Sequence, residues 1–137
     1  MGFFDSHLFS AKSKATQQQE QEAYEIWAFP HGQKQRDNLQ SLLYTLFPKQ
    51  TAPTTLIAFL TCKELYESEL KKCGTREAAI DMMISKHNKF RQMVKKKDLA
   101  LYIALVIADA DIDDRCQYPT ADEIRARVQE TQRGKTK

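Results

Sequence analysis

The chain is poor in residues that break or redirect a backbone, with only four glycines and four prolines in 137 positions. It also lacks an Asn-Gly pair and any alternating apolar-polar run of four to eight residues, the signals of hairpins and half-buried strands. No internal repeat is visible. These absences exclude a strand-rich architecture. Its three cysteines, Cys62, Cys73 and Cys116, form no CxxC pair, and an odd number cannot all pair within one chain. Reduced thiols in the cytoplasm are the simplest reading. The longest apolar run, Leu99 to Ala108, is about half of what a bilayer requires. The N-terminus has no basic region followed by a long apolar core, so neither secretion nor a membrane span is expected.

What is present suits one soluble globular unit. Hydrophobic residues make up 42% and charged residues 28%, an ordinary balance, and a chain of this length buries enough surface to fold without a metal or disulfide. Leu39, Leu42, Leu43, Leu46 and Phe47 recur at intervals of three and four, predicting a helix from Gln33 to Phe47 that Pro48 stops, after the break at Pro30-His31-Gly32. Thr51-Ala52-Pro53 reads as the capped start of the next helix, whose core face is expected to carry Leu56, Ile57, Phe59, Leu60, Leu65, Tyr66 and Leu70. Cys73-Gly74 ends it. Thr75 caps a fourth helix predicted to run to Lys95, Lys96 and Lys97, with Ile80, Met83, Ile84, His87, Phe90 and Val94 on one face. Asp98 is the expected cap of a fifth. Thr120-Ala121-Asp122-Glu123 has capping-box spacing and opens the last helix, with Ile124 and Val128 inward.

The stretch LYIALVIADADIDDRC, Leu101 to Cys116, runs from continuous apolar character into Asp109, Asp111, Asp113 and Asp114. LVIADADIDD resembles the strand-then-DxD opening of the haloacid dehalogenase phosphotransferases. That resemblance implies a metal-dependent phosphohydrolase in which Asp109 is the nucleophile and Asp111 the general acid, with Asp113 beside them. The D-x-D-x-D spacing also resembles the start of an EF-hand calcium loop, which requires glycine at position six and glutamate at twelve. Asp114 and Thr120 stand there instead. Paired aspartates resemble those of prenyl-diphosphate synthases, but Gln117 stands where the DDxxD motif closes. Alanines at 100, 104, 108 and 110 favour helix, and a helix apolar nearly all round belongs inside a bundle. Aspartates at its C-terminus oppose the helix dipole, and the basic segment Lys86 to Lys97 is the expected compensating partner.

Formal charge is only +3, but it is unevenly distributed. KHNKFRQMVKKK carries Lys86, Lys89, Arg91, Lys95, Lys96 and Lys97 with no acidic residue, a candidate set of phosphate contacts, and Phe90 falls on the predicted core face. No recognisable nucleic-acid-binding signature accompanies it. His87 reads as a core histidine with no partner at metal-ligand spacing, and Cys62 as a buried thiol. At the other end, Phe3, Phe4, Leu8 and Phe9 form an apolar cluster in an otherwise polar start, which soluble proteins usually cover.

These observations predict an all-α, compact bundle of five or six helices with a mainly apolar central helix near 98–112. Residues 1–18 are read as a tail or detachable anchor, 19–131 as a single helical domain and 132–137 as a disordered C-terminal tail. The leading expectation for function is a non-catalytic protein-interaction or adaptor module, self-associating or bound to a protein partner, without cofactor or resident metal. Phe3, Phe4, Leu8 and Phe9 are its candidate anchor. The alternatives are an electrostatic nucleic-acid binder through residues 86–97 and a phosphohydrolase using the 109–114 cluster.

Overall fold

Capping chemistry sets most of the helix boundaries. The computed structural model describes residues 14–136, in which six α-helices and one short 3-10 turn, but no strand, are formed. Helix α1 (Lys14–Ala28) begins inside the stretch read as tail. Gly32, at φ 86°, precedes α2 (Gln33–Leu46), a positive angle that glycine adopts without strain. Thr51 accepts a bond from the Thr54 amide at 3.3 Å and Pro53 sits in the first turn of α3 (Ala52–Cys73). Gly74, left-handed at φ 84°, closes α3 through its amide to the Leu70 carbonyl at 2.8 Å. Before α6 (Ala121–Thr136), the capping box forms in both directions: Thr120 N donates to Glu123 Oε1 at 2.9 Å and Glu123 N donates to Thr120 Oγ1 at 3.2 Å. These bonds hold the Glu123 carboxyl below its ordinary range.

The fourth helix is shorter than its apolar spacing predicts. Helix α4 spans Arg76–Ser85, a 3-10 turn covers His87–Lys89, and α5 starts at Lys96 with Lys95 as its N-cap. Ser85, His87 and Asn88 are indifferent helix formers, and tertiary bonds replace the helical ladder there. Lys86 Nζ reaches Glu69 Oε2 of α3 at 2.7 Å, and His87 Nε2 pairs with the Val94 carbonyl at 2.6 Å. The expected core residues Met83, His87, Phe90 and Val94 are still buried. The lysine triplet therefore stands at the start of α5 rather than the end of α4, and Asp98 lies in the first turn rather than at the cap.

Helix α3 is the hub. It packs against α2, α4 and α5, while α6 lies on α5 and also meets α2. Helix α5 (Lys96–Ala110) buries Leu99, Tyr102, Ile103, Leu105, Val106, Ala108 and Asp109, as expected of the apolar inner helix. Tyr102 stacks on Phe47 with ring centroids 4.6 Å apart. Helix α1 is buried in its last turn, where Trp27 is half-buried and Ala28 buried, while residues 14–26 are exposed.

Candidate functional site

The apolar end of α5 delivers Asp109 into the interior rather than into solvent. The carboxylate accepts from Lys63 Nζ at 3.1 Å, Gln35 Nε2 at 2.9 Å and the Tyr118 hydroxyl at 2.6 Å. Lys63 Nζ also donates to the Trp27 and Ala28 carbonyls at 3.1 and 3.0 Å. An ammonium has three protons, so these partners occupy all of them. The two carbonyls belong to the last turn of α1, where helical carbonyls have no partner within the helix. Lys63 thus caps α1 and neutralises Asp109 in the same position. Gln35 completes the unit by accepting the His31 amide at 2.9 Å. Burial and the neighbouring Asp109 carboxylate push the Tyr118 hydroxyl well above its ordinary pKa, which keeps it a donor.

The other aspartates diverge from Asp109. Asp111 is the C-cap of α5 and is held by Arg76 of α4 at 3.0 Å, a contact that raises the guanidinium pKa. Asp113 pairs with Arg115 at 2.9 Å, and that guanidinium lowers the carboxyl pKa. Asp114 is exposed. The cations that compensate this acidic end are thus Lys63, Arg76 and Arg115 rather than the expected Lys86 to Lys97 segment. The carboxylates stand on and after a helix, not at the end of the strand that the dehalogenase resemblance implies. Among the described residues, no group of three or more His, Cys, Asp or Glu side chains is arranged to hold a metal.

In the basic segment, Lys86 is occupied by Glu69, whose carboxyl it holds below the usual range. Lys89, Arg91, Lys95, Lys96 and Lys97 are exposed. Phe90 is buried edge-on to His87, with centroids 5.2 Å apart, so its face is not offered for stacking on a base. Cys62 is buried, and burial pushes its thiol up to about 12. Phe3, Phe4, Leu8 and Phe9 lie outside the described residues.

Two of the molecule's concavities border α5 beside these groups. A cleft of about 370 Å³ beside the ion pair is lined by Trp27, His31, Tyr66 and Glu67, and the Trp27 indole donates to Glu67 at 2.7 Å across it. A larger groove, about 470 Å³, lies between α4 and α6. Ala100, Ile103, Ala104 and Ile107 of α5 form its floor; Ile80 and Ile84 of α4 and Val128 of α6 form its walls. Arg76, Arg127 and Glu130 rim it. The groove exists because α4 leans on α3 and α6 leans on α5, leaving this strip of α5 without a covering helix among the described residues.

The chain matches no known family model, no curated protein and no solved structure. Sequence reasoning missed the polar centre because it did not single out Lys63. The signal was present: Thr55, Ala58, Phe59, Cys62, Tyr66 and Glu69 fall at helical spacing on one face, and Lys63 falls among them. A charge at such a position requires a partner.

Proposed function

We propose that this chain is a protein-interaction module without catalysis of its own, which receives an apolar helical segment in the groove between α4 and α6. The apolar strip of α5 that no described helix covers carries the reading. Ile80, Ala104, Ile107 and Val128 are half-buried, Ile103 is buried at the base, and Ile84 is 42% exposed. An apolar trough rimmed by charged side chains is the complement of an amphipathic helix with apolar residues at i, i+3, i+4 and i+7. Ala100 and Ala104 present small side chains one turn apart, allowing bulky side chains of a partner to approach α5. The commitment of Asp109 to Lys63, Gln35 and Tyr118 supports a structural task for that carboxylate.

The three cysteines are unpaired, which suits a reducing, cytoplasmic setting. None of the described helices is long and apolar enough to cross a membrane.

Fluorescence anisotropy of a labelled amphipathic peptide, with Leu at those four positions, tests the reading. Saturable binding to the full chain is expected, weakened at least tenfold by Ile84→Asp and unaffected by Ile57→Asp on an exposed position elsewhere. Absence of saturable binding, or equal loss in both variants, would overturn it.

A further inference from the structure

We propose that the pocket between the start of α3 and the start of α5 binds a small zwitterion, an α-amino acid, through Lys95, Asp98 and Tyr102. The pocket holds about 170 Å³, and its lining includes Gln50, Gln92 and Met93 besides these three. That volume is well below the roughly 300–1,000 Å³ of drug-sized ligand sites, so only a small molecule fits. It shares no lining residue with the groove between α4 and α6.

Tyr102 carries the inference. It is 1% exposed, and its hydroxyl is buried without a hydrogen-bond partner among the described residues. A phenylalanine would stack on Phe47 as well without stranding a polar atom, which points to a use for the hydroxyl outside the fold's own bonding. Side chains on a helix lean toward its N-terminus. Tyr102 therefore reaches back along α5 toward Asp98, one turn earlier, and exposed Lys95. Burial, and after it the Asp98 carboxylate, raise the hydroxyl above its ordinary pKa, which keeps it a donor.

The charges decide the ligand's class. Asp98 is half-buried and accepts from Gln50 Nε2 at 3.3 Å; a carboxylate has about four acceptor sites, so it can take an ammonium as well. Lys95 is the N-cap of α5 and makes no side-chain capping bond, and the helix dipole adds to its charge in favouring an anion. A simple anion would sit against Asp98, and a simple cation against Lys95. A molecule with ammonium and carboxylate on one carbon satisfies both. Its ammonium lies on Asp98, and its carboxylate takes Lys95 and the Tyr102 hydroxyl. Met93 gives the ligand's side chain an apolar wall.

Full-length protein labelled at the methionine methyls is titrated with L-alanine, L-serine and L-valine in turn and followed by NMR. At least one should move the Met93 methyl along a saturable curve while Met82 and Met83, on α4, stay in place. Tyr102→Phe, Asp98→Asn and Lys95→Gln should each weaken that binding roughly tenfold, the effect of losing one hydrogen bond to a charged group. Acetylating the ligand's amine, or converting its carboxyl to the amide, should do the same. Circular dichroism verifies the helix content of each variant, and Lys95→Gln, at an exposed position, decides the matter should Asp98→Asn disturb the first turn of α5. No saturable Met93 shift with any of these amino acids would overturn the proposal. Wild-type affinity in Tyr102→Phe or Lys95→Gln would overturn it too, as would equal binding of a blocked form, which would show a site for a simple ion.

Discussion

Lys63 and Asp109, 46 positions apart in the chain, meet as a 3.1 Å ion pair whose side chains are only 8% and 3% exposed. The pair fastens α3 to α5, and through the Trp27 and Ala28 carbonyls it fastens α1 to both. Its value lies in this joining rather than in net electrostatic gain, since desolvating two charges offsets most of their attraction.

Removing one member of the pair is accordingly expected to cost more than removing both. Lys63→Met leaves Asp109 buried and frees the α1 carbonyls, and should lower stability by about 3–5 kcal/mol. Lys63→Met/Asp109→Leu should recover part of that loss. Urea denaturation of the four proteins completes the double-mutant cycle, and additive losses would contradict the pairing.

Cys62 gives the account a pH dependence. Burial lifts its thiol to about 12 in the fold, whereas an unfolded thiol titrates near 8.5. The folded state therefore holds this proton more tightly. The associated stability is fully present below the unfolded value and is lost progressively as pH rises from there toward the folded value. Cys62→Ala should show a shallower decline in urea midpoint than wild type between pH 8 and pH 10. In the native protein at pH 8, iodoacetamide should modify half-buried Cys73 well before Cys62 and Cys116, which are both buried. Mass spectrometry of tryptic peptides reads this order.

Tyr102 is a flaw in the core that can be repaired. Its ring is stacked on Phe47, but its hydroxyl is buried without a hydrogen-bond partner among the described residues. Leaving such a group unsatisfied costs about 1–3 kcal/mol. Tyr102→Phe keeps the stacking and should raise the denaturation midpoint; a clear loss of stability would show that the hydroxyl has a partner.

Helix class, the caps at Thr51, Gly74 and Thr120, and the apolar inner helix were legible because each depends on residues within one turn. The break after Ser85 was not, because its causes, Glu69 for Lys86 and Val94 for His87, are brought together by folding. Local pattern placed most of the α3 core face, with Phe59 and Tyr66 buried and Leu56, Leu60, Leu65 and Leu70 packed against the core, but it erred at single positions. Ile57 reads as core yet is 54% exposed, while Lys63 and Glu69 lie inside. The Asp cluster was legible as the end of a helix, but its compensating charges were not, since Lys63 and Arg76 come from other helices. The groove was invisible for a related reason: Ile80, Ile84, Ile103 and Ile107 all read as core residues, and only the packing shows which of their neighbours is missing.

The central claim is that the α4–α6 groove is a recognition surface, and methyl-selective NMR of the full-length protein tests it most directly. During titration with the Leu-bearing amphipathic peptide, the methyl signals of Ile80, Ile84, Ile103, Ile107 and Val128 should shift together along one saturable curve, while those of Ile26 and Ile57 stay in place. Saturable shifts centred on Ile26 or Ile57, or no shift at the five groove methyls at saturating peptide, would contradict the account.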